Sequence, residues 1–341
     1  MKRIFSIVLS ALMILSTAVG CSSQQSASSA AAESTAPASS AAASTDTAGK
    51  KYKIALVTKM VDSTYWQTVK KNAEKEAQKL GNVEVTHLGP PTEADIDKQV
   101  QIIETCISDK YDGIILAACD KDALVEPVKK AKAAGIPVVM IDSGISEDAY
   151  DAFLATNNVD AGASCAKLMA ELIGDSGDVA IVNFAAGTQT AVDREKGFTD
   201  EIKKNHPKIK IVGVQYCDSD PTKAANQATD FISANPNLKG IWGANDQSAV
   251  GVAQAVTEKK LGDKIAVVGF DNSDDIKAGL VSGAIKGTAV QMPSVMGSKG
   301  VDLVLDLING KKIDNKNVDT GVTMVTTKNY KDAAVSAILN Q

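Results

Sequence analysis

The chain has few of the residues that most often carry out chemistry in enzymes. Aromatic residues make up 4% of its 341 residues, and only two histidines and five cysteines are present. The histidines, His87 and His206, lie far apart in the sequence, so they form no local metal-ligand pair. No nucleophile has a recognisable base beside it. The sequence therefore predicts no catalytic residue, no metal site and no cofactor.

The cysteines after residue 21 do not form a recognisable framework. No CxxC pair is present and none of these cysteines has a histidine nearby, which argues against zinc and against a set of disulfides. We expect three of them to be small buried apolar residues, and the pattern gives no expectation for the fourth, Cys217. The three are Cys106, Cys119 and Cys165.

Motifs for phosphate and calcium are also missing. The sequence contains no GxxxxGK[ST], and the loop AAGTQTA lacks the GxGxxG spacing of a dinucleotide site. The stretch DSDPTKAANQAT has Lys223 at its sixth position and Thr229 at its twelfth, where a calcium loop needs Gly and Glu. These absences argue against a nucleotide-binding or calcium-binding protein.

The N-terminus has the pattern of a targeting segment. Residues 1–20 have a basic start and an apolar run, and they end in small residues before Cys21. Ala18 to Cys21 resemble a bacterial lipobox, which predicts lipidation of Cys21; the alternative is an ordinary cleaved signal with a chance cysteine. Residues 21–51 are rich in Ser and Ala, so we expect a disordered linker that tethers a folded part to a membrane.

The net charge argues against a nucleic-acid partner. Removal of residues 1–20 takes away Lys2 and Arg3, and the remaining 34 basic residues against 41 acidic ones leave a charge of −7. The only arginine in this remainder is Arg194, within VDREKGF. A guanidinium offers a planar fork of donors that lysine cannot reproduce. We expect Arg194 to pair with a carboxylate and to donate to a ligand hydroxyl, the alternative being a chance lysine-to-arginine difference.

From residue 53 onward, short β-branched runs alternate with longer amphipathic segments. The order is β-α-β-α-β-α-β, and the same alternation then repeats in the second half. Continuous apolar runs such as GIILAA are typical of strands covered on both faces. The predicted fold class is therefore α/β, with two similar Rossmann-like lobes, each a mostly parallel sheet with helices on both faces. We expect Trp242, inside GIWGAND, to be a core residue.

Polar and aromatic side chains follow the predicted strands, where ligands bind in open parallel sheets. In VVGFDNSDD, residues 267–275, Asp271 ends a buried strand, whereas we expect Asp274 and Asp275 to cap the next helix. Helix capping is the competing explanation for each strand-end residue taken alone. The candidate ligand-binding residues at strand ends are Ser63, Tyr65, Trp66, Asp142, Asn245, Asp271 and Gln291.

Several stretches, in this order, resemble the sugar-binding proteins of bacterial ABC importers, of the ribose-binding or type I periplasmic kind. They are IPVVMIDSG, ATNNVDAGASCA, GTQTAVDREKGF, IWGANDQSAVG, VVGFDNSDD and KGTAVQMPSVMGSKGV. The resemblance implies an N-terminal lobe of residues 52–156 plus 292–319, a C-terminal lobe of residues 157–291 plus 320–341, and three crossings that serve as a hinge. Its ligand contacts fall on Ser63, Tyr65, Trp66, Asp142, Arg194, Asn245, Asp271 and Gln291.

Two positions depart from the family pattern. Where the ribose binder has a second stacking ring this sequence has Ser219, although Tyr216 is close enough to substitute, and Ser143 stands where an arginine follows the first-lobe Asp. The expected ligand is therefore a monosaccharide, pentose or hexose, rather than ribose in particular.

The expected function is capture of that sugar in the cleft between the lobes, and delivery to an ABC permease by a lipid-anchored monomer. The alternative is a sensor of a sugar, or of a furanosyl quorum signal, that presents its closed form to a membrane receptor. A glycosidase would need two carboxylates flanking one bond, and the amides and arginine around Asp142 and Asp271 argue against it. A repressor of the lactose type would carry a helix-turn-helix where this chain has its targeting segment.

Overall fold

The computed structural model describes residues 49–340. The predicted signal peptide of residues 1–20, the lipidation at Cys21 and the linker up to residue 48 lie outside the described residues. In the part of the chain that is described, no helix is both long and apolar enough to span a bilayer.

The described chain alternates strands with helices along most of its length. The strands are β1 (Tyr52–Val57), β2 (Val83–Leu88), β3 (Gly113–Leu116), β4 (Val138–Ile141), β5 (Ala152–Ala155), β6 (Gly177–Asn183), β7 (Ile209–Tyr216), β8 (Leu238–Gly243), β9 (Ala266–Phe270), β10 (Gly287–Gln291), β11 (Asn317–Asp319) and β12 (Val322–Thr326). The helices are α1 (Thr64–Leu80), α2 (Ile96–Ser108), α3 (Val125–Ala133), α4 (Asn158–Ile173), α5 (Gln189–Asn205), α6 (Pro221–Ala234), α7 (Asp246–Glu258), α8 (Asp274–Ser282), α9 (Pro293–Ile308) and α10 (Ala333–Leu339).

The strands form two six-stranded sheets with the same internal order. The first sheet runs β11-β5-β4-β3-β1-β2, and the second runs β12-β10-β9-β8-β6-β7. All pairings are parallel except that of β10 with β12. β1 to β5 therefore correspond in order to β6 to β10, which confirms the predicted α/β fold of two similar units.

Apolar side chains explain why these segments form central strands. All four residues of β3 and all four of β4 are buried. Both faces of a parallel sheet are covered by helices, so its strands are continuously apolar. Trp242 of β8 is fully buried and stacks on Phe198 of α5 with ring centroids 4.5 Å apart, which confirms it as a core residue.

The chain passes between the two sheets three times, after β5, after β10 and after β11. The first lobe, as predicted from the sequence, contains β1 to β5 and β11. The second lobe contains β6 to β10 and β12. In both sheets the carboxyl ends of the parallel strands form one edge, and polar side chains from the two edges approach one another.

Two local predictions can be compared with the structure. Cys106, Cys119 and Cys165 are free and buried as expected, and Cys217 is buried too. The prediction that Asp274 and Asp275 cap α8 is wrong, because the cap is Ser273, whose hydroxyl accepts the N–H of Ile276 at 3.2 Å. The two aspartates occupy the first turn instead, where the helix dipole favours negative charge.

Candidate functional site

The eight residues predicted from the sequence surround a single cavity between the two sheet edges. The space they enclose, including its opening to solvent, measures about 320 Å³. Five further residues, outside these eight, also line it. The lining is Lys59, Ser63, Tyr65, Trp66, Glu93, Asp142, Phe184, Arg194, Asn245, Asp246, Gln247, Asp271 and Gln291.

Asp142 and Asp271 occupy equivalent places, directly after β4 and directly after β9. Both have left-handed backbone conformations, with φ of 58° and 70°, which aspartate tolerates better than most residues. Each N–H still joins the sheet, at 2.9 Å from the Leu154 carbonyl and 2.8 Å from the Ala289 carbonyl. The strand thus ends on a residue that keeps its backbone bond while its carboxylate lines the cavity.

Arg194 is buried and is held entirely by its own lobe. Its Nε donates to Oδ1 of Asn158 and its Nη1 donates to the carbonyl of Ala244, both at 2.8 Å. The guanidinium lies over the ring of Phe270 at 3.6 Å from the centroid, and Nη1 is 4.0 Å from Oδ2 of Asp271. The expected pairing with a carboxylate is present, and the guanidinium is fixed without help from the first lobe.

Two glycines allow the helix that carries Arg194 to lie close to its neighbour. A Cβ at Gly162 of α4 would overlap the carbonyl of Arg194, and a Cβ at Gly197 of α5 would overlap the carbonyl of Val159. Close backbone approach of this kind is a use that only glycine allows. The GASCA and EKGF stretches therefore fix the position of Arg194 through helix packing.

Lys59 provides the positive charge on the opposite side of the cavity. It is 4% exposed, and its Nζ lies 3.1 Å from Oδ2 of Asp142 and 3.9 Å from Oε1 of Glu93. Ser143 donates its hydroxyl to Asp142 at 2.8 Å. Lys59, two residues after β1, therefore supplies the cation beside Asp142.

Two of the predicted ligand-binding residues also cap helices, which is the competing explanation for polar residues at strand ends. Ser63 accepts the Trp66 N–H at 3.2 Å and so caps α1. Asn245 accepts the Ser248 N–H at 2.9 Å in a capping box that begins α7. Both still line the cavity. The cap of α7 uses Oδ1 of Asn245, whereas its Nδ2 donates to Ser219 at 2.9 Å and to Gln247 at 3.1 Å.

Phe184, the first residue after β6, brings an aromatic ring of the second lobe to the cavity, opposite Tyr65 and Trp66 of the first lobe. Lys59 Nζ lies 5.2 Å from the Phe184 ring centroid and 5.6 Å from that of Trp66, so both rings border the same charged group. Tyr216 does not line this cavity, and its hydroxyl donates to Glu195 at 2.8 Å. Tyr216 therefore does not take the place of the missing ring.

Residues 54–312 match the periplasmic binding protein domain family. The chain belongs to the periplasmic binding protein family. The D-allose-binding periplasmic protein of Escherichia coli K12 is 35% identical over 76% of this chain and 85% of its own length. The ribose import binding protein of Bacillus subtilis 168 is 26% identical over 96% of this chain and all of its own length.

Solved structures of this family have the same fold. An ABC transporter solute-binding protein from Agrobacterium vitis, with bound D-fucose, is 41% identical with a TM-score of 0.82 over 84% of this chain and 99% of its own. A carbohydrate transporter solute-binding protein from Agrobacterium radiobacter, in complex with D-arabinose, is 36% identical with a TM-score of 0.82 over 85% and 99%. These likenesses confirm the two-lobed fold.

The two strand-end carboxyls of this binding protein differ in acidity. Burial alone would raise the pKa of Asp142, but the charges of Lys59 and Arg194 outweigh it and hold that pKa below its ordinary value. Burial raises the pKa of Asp271, and the nearby Arg194 offsets only part of this effect. Burial raises the pKa of Asp246 to about 6, despite a hydrogen bond from Ser273. Asp142 is thus the most firmly ionised of the three.

Clusters suited to metal binding are not found among the described residues. In residues 49–340, no cluster of three His, Cys, Asp or Glu side chains could hold a metal ion. The cavity lining in that range includes neither His87 nor His206, and no cysteine. What the lining offers is a set of fixed donors and acceptors with three aromatic rings, those of Tyr65, Trp66 and Phe184.

Proposed function

We propose that this chain is an extracytoplasmic solute-binding protein that holds a monosaccharide, pentose or hexose, between its lobes and delivers it to an ABC permease. The observation that carries the proposal is the pairing of one carboxylate and one cation from each lobe around the same small cavity. The pairs are Asp142 with Lys59 and Arg194 with Asp271. The sugars named for the relatives described above support the same ligand class.

The lining matches the chemistry of a polyhydroxylated ring. A hydroxyl both donates and accepts, so it can bond to a carboxylate and to a neighbouring cation together. Such charge-assisted bonds are stronger than neutral ones. Trp66 and Phe184 supply apolar faces that can cover the C–H surface of a sugar. The predicted binding residues Ser63, Tyr65, Asn245 and Gln291 add hydroxyl and amide groups to this set.

Closure of the lobes follows from the division of these groups. Lys59, Trp66 and Asp142 belong to the first lobe, whereas Arg194 and Asp271 belong to the second. A ligand held by the first group gains the second set of bonds only when the lobes meet, so it shifts the population toward the closed form. Because Arg194 is fixed by partners in its own lobe, its position does not have to be organised during closure.

Membrane attachment is a separate part of the proposal. We propose that residues 1–20 are removed, that Cys21 is lipidated and that residues 21–51 tether the lobes to the membrane. Metabolic labelling with an alkyne fatty acid should mark the wild type, and Cys21→Ser should lose the label and appear in the soluble fraction. A Cys21→Ser protein that remains membrane-bound would contradict lipidation as the anchor.

The ligand class is tested by a thermal-shift screen with D-allose, D-ribose, D-fucose and D-arabinose, followed by calorimetry. Stabilisation follows RT ln(1 + [L]/Kd), so a ligand at a thousand times its Kd contributes about 4 kcal/mol. We expect at least one neutral monosaccharide to stabilise the wild type, and Asp142→Asn to lose most of that shift. The corresponding sugar acids are the control, since a second carboxylate would lie beside Asp142. Stabilisation by the acids alone would refute the proposal.

Delivery is tested in the cells that carry the gene. Deletion of the gene should abolish uptake of the radiolabelled sugar that calorimetry identifies, and the wild-type copy should restore it. Unchanged uptake together with tight binding would exclude delivery and favour the sensor alternative.

A further inference from the structure

The lobes also meet through residues outside the cavity. Thr188 of the second lobe donates its hydroxyl to the carbonyl of Cys119 in the first lobe, at 2.6 Å. The Lys121 N–H donates to the carbonyl of Gly187 at 3.0 Å. We call residues 119–121, which follow β3, and residues 187–188, which precede α5, the latch.

Thr188 has an unusual use for a residue at the start of a helix. It is the N-cap of α5, but its side chain makes no capping hydrogen bond. A threonine at this position ordinarily accepts an N–H of its own helix. Here the side chain is fully buried and its hydroxyl is directed at the opposite lobe. The hydroxyl therefore serves contact between the lobes rather than the local structure of α5.

Gly187 permits the close approach of the two segments. A Cβ at this position would overlap Oδ2 of Asp120 in the first lobe, and the φ of Gly187 is not left-handed. Glycine is therefore needed at position 187 because of the neighbouring lobe, and not because of its own backbone conformation. Asp120 is fixed in place, because its Oδ1 accepts the N–H groups of Asp122 and Ala123 at 2.8 Å.

A further contact lies beside the latch. The hydroxyls of Ser143 and Thr190 are 3.3 Å apart, and both residues are buried. Ser143 also donates to Asp142. Contact between the lobes therefore extends from the latch to the edge of the ligand cavity.

We propose that the latch stabilises the closed arrangement whether or not ligand is bound, and so sets the fraction of the protein that is closed before ligand arrives. Among residues 49–340, those lining the cavity do not include any latch residue. A contact made only on closure shifts the open–closed equilibrium by itself, and the apparent affinity for ligand follows the closed fraction. The inference rests on the proposed function only in requiring that the lobes open and close.

Two kinds of variant separate the latch from the cavity. Gly187→Ala introduces an overlap only when the lobes meet, and Asp120→Ala should relieve it, since the Asp120 Cβ lies 4.0 Å from the added carbon. Thr188→Val removes the hydroxyl at nearly constant volume, and Thr188→Ser restores it. Each of these variants leaves the cavity lining unchanged, and a thermal melt verifies that each is folded.

The measurement is the distance between two spin labels in ligand-free protein, by pulsed electron paramagnetic resonance. The labels replace exposed residues, Lys98 in α2 of the first lobe and Asn226 in α6 of the second. Cys21→Ser is included so that only the introduced cysteines react, because the cysteines within residues 49–340 are buried.

We expect a short-distance population in the wild type without ligand. Thr188→Val should lower the closed-to-open ratio about fivefold, the effect of one buried hydrogen bond, and Gly187→Ala should also lower it, through the overlap of its Cβ with Asp120. Thr188→Ser and the Asp120→Ala/Gly187→Ala pair should resemble the wild type. A fully open wild type, or a Gly187→Ala distribution equal to that of the wild type, would overturn the proposal. Because no sugar is added, failure of the sugar proposal would not affect this result.

Discussion

Replacement of Arg194 by lysine conserves the charge and removes the geometry on which the proposed site depends. In the wild type, Nε and Nη1 donate to Asn158 and Ala244 while the guanidinium lies on Phe270. A lysine ammonium is a compact charge on a flexible stem and cannot occupy all three places. We expect Arg194→Lys to bind the sugar much more weakly than the wild type.

The size of the effect follows from the bonds that are lost. A hydrogen bond to a charged group contributes about 1.5–3 kcal/mol. Loss of the bond between the Arg194 guanidinium and a ligand hydroxyl should therefore weaken binding by about 10- to 150-fold. Within the protein, either Asn158 Oδ1 or the Ala244 carbonyl loses its partner. An unpaired buried acceptor costs about 1–3 kcal/mol, so the unfolding free energy should fall by a similar amount.

Isothermal titration calorimetry of wild type and variant measures the affinity, and urea unfolding measures the stability. Lys196→Gln is the matched control: Lys196 is exposed, lies two residues away on the same helix and pairs with Asp200. An exposed ion pair contributes little, about 0–1 kcal/mol, so this control should bind as the wild type does. Unchanged affinity in Arg194→Lys would refute the role given to the guanidinium.

Three further results are expected. Lys59→Gln removes the nearest counter-charge of Asp142, so the pKa of that carboxyl should rise in a carbon-detected NMR titration. Sugar affinity should fall at least tenfold, and an unchanged pKa would count against the ion pair. Phe184→Ala should weaken binding by about 1–3 kcal/mol in calorimetry, whereas Tyr216→Phe should have no effect; equal losses would place the Tyr216 hydroxyl at the ligand as well. Asp246, with its pKa raised to about 6, binds its proton more tightly in the folded state than in the unfolded state. The stability that this protonation contributes is therefore fully present below about pH 4 and is lost as the pH rises through about 6, by up to about 3 kcal/mol. Urea unfolding of Asp246→Asn should lack this part of the pH dependence, and identical profiles would contradict the assignment.

The repeated α/β alternation and the strand-end polar residues could be recognised from sequence because both depend on local pattern. Asp142 and Asp271 stand directly after apolar runs, and parallel strands bring such residues to one edge. Lys59 lies two residues after β1, but a lysine is common on solvated surfaces in this chain and carried no distinguishing signal. Its position just beyond the end of a buried strand was the one feature that could have identified it.

Phe184 could not be assigned for a different reason. It continues the apolar run of β6, so the pattern does not indicate that the strand ends at Asn183 and that the next ring borders the cavity. Whether Tyr216 or another ring completes the site depends on how β7 is placed at the edge of its sheet. That is a property of tertiary packing, which spacing along the chain does not encode.

The equivalence of Asp142 and Asp271 has a consequence for how a ligand can sit. Two half-sites built on the same aspartate, in the same backbone turn, would by themselves accept a ring in either of two orientations. The cations beside the two aspartates differ, since Lys59 has a compact ammonium group and Arg194 a planar guanidinium with several donors. In the proposed site, a sugar flipped end over end would meet the other donor on each side, so we expect the two half-sites to select one orientation.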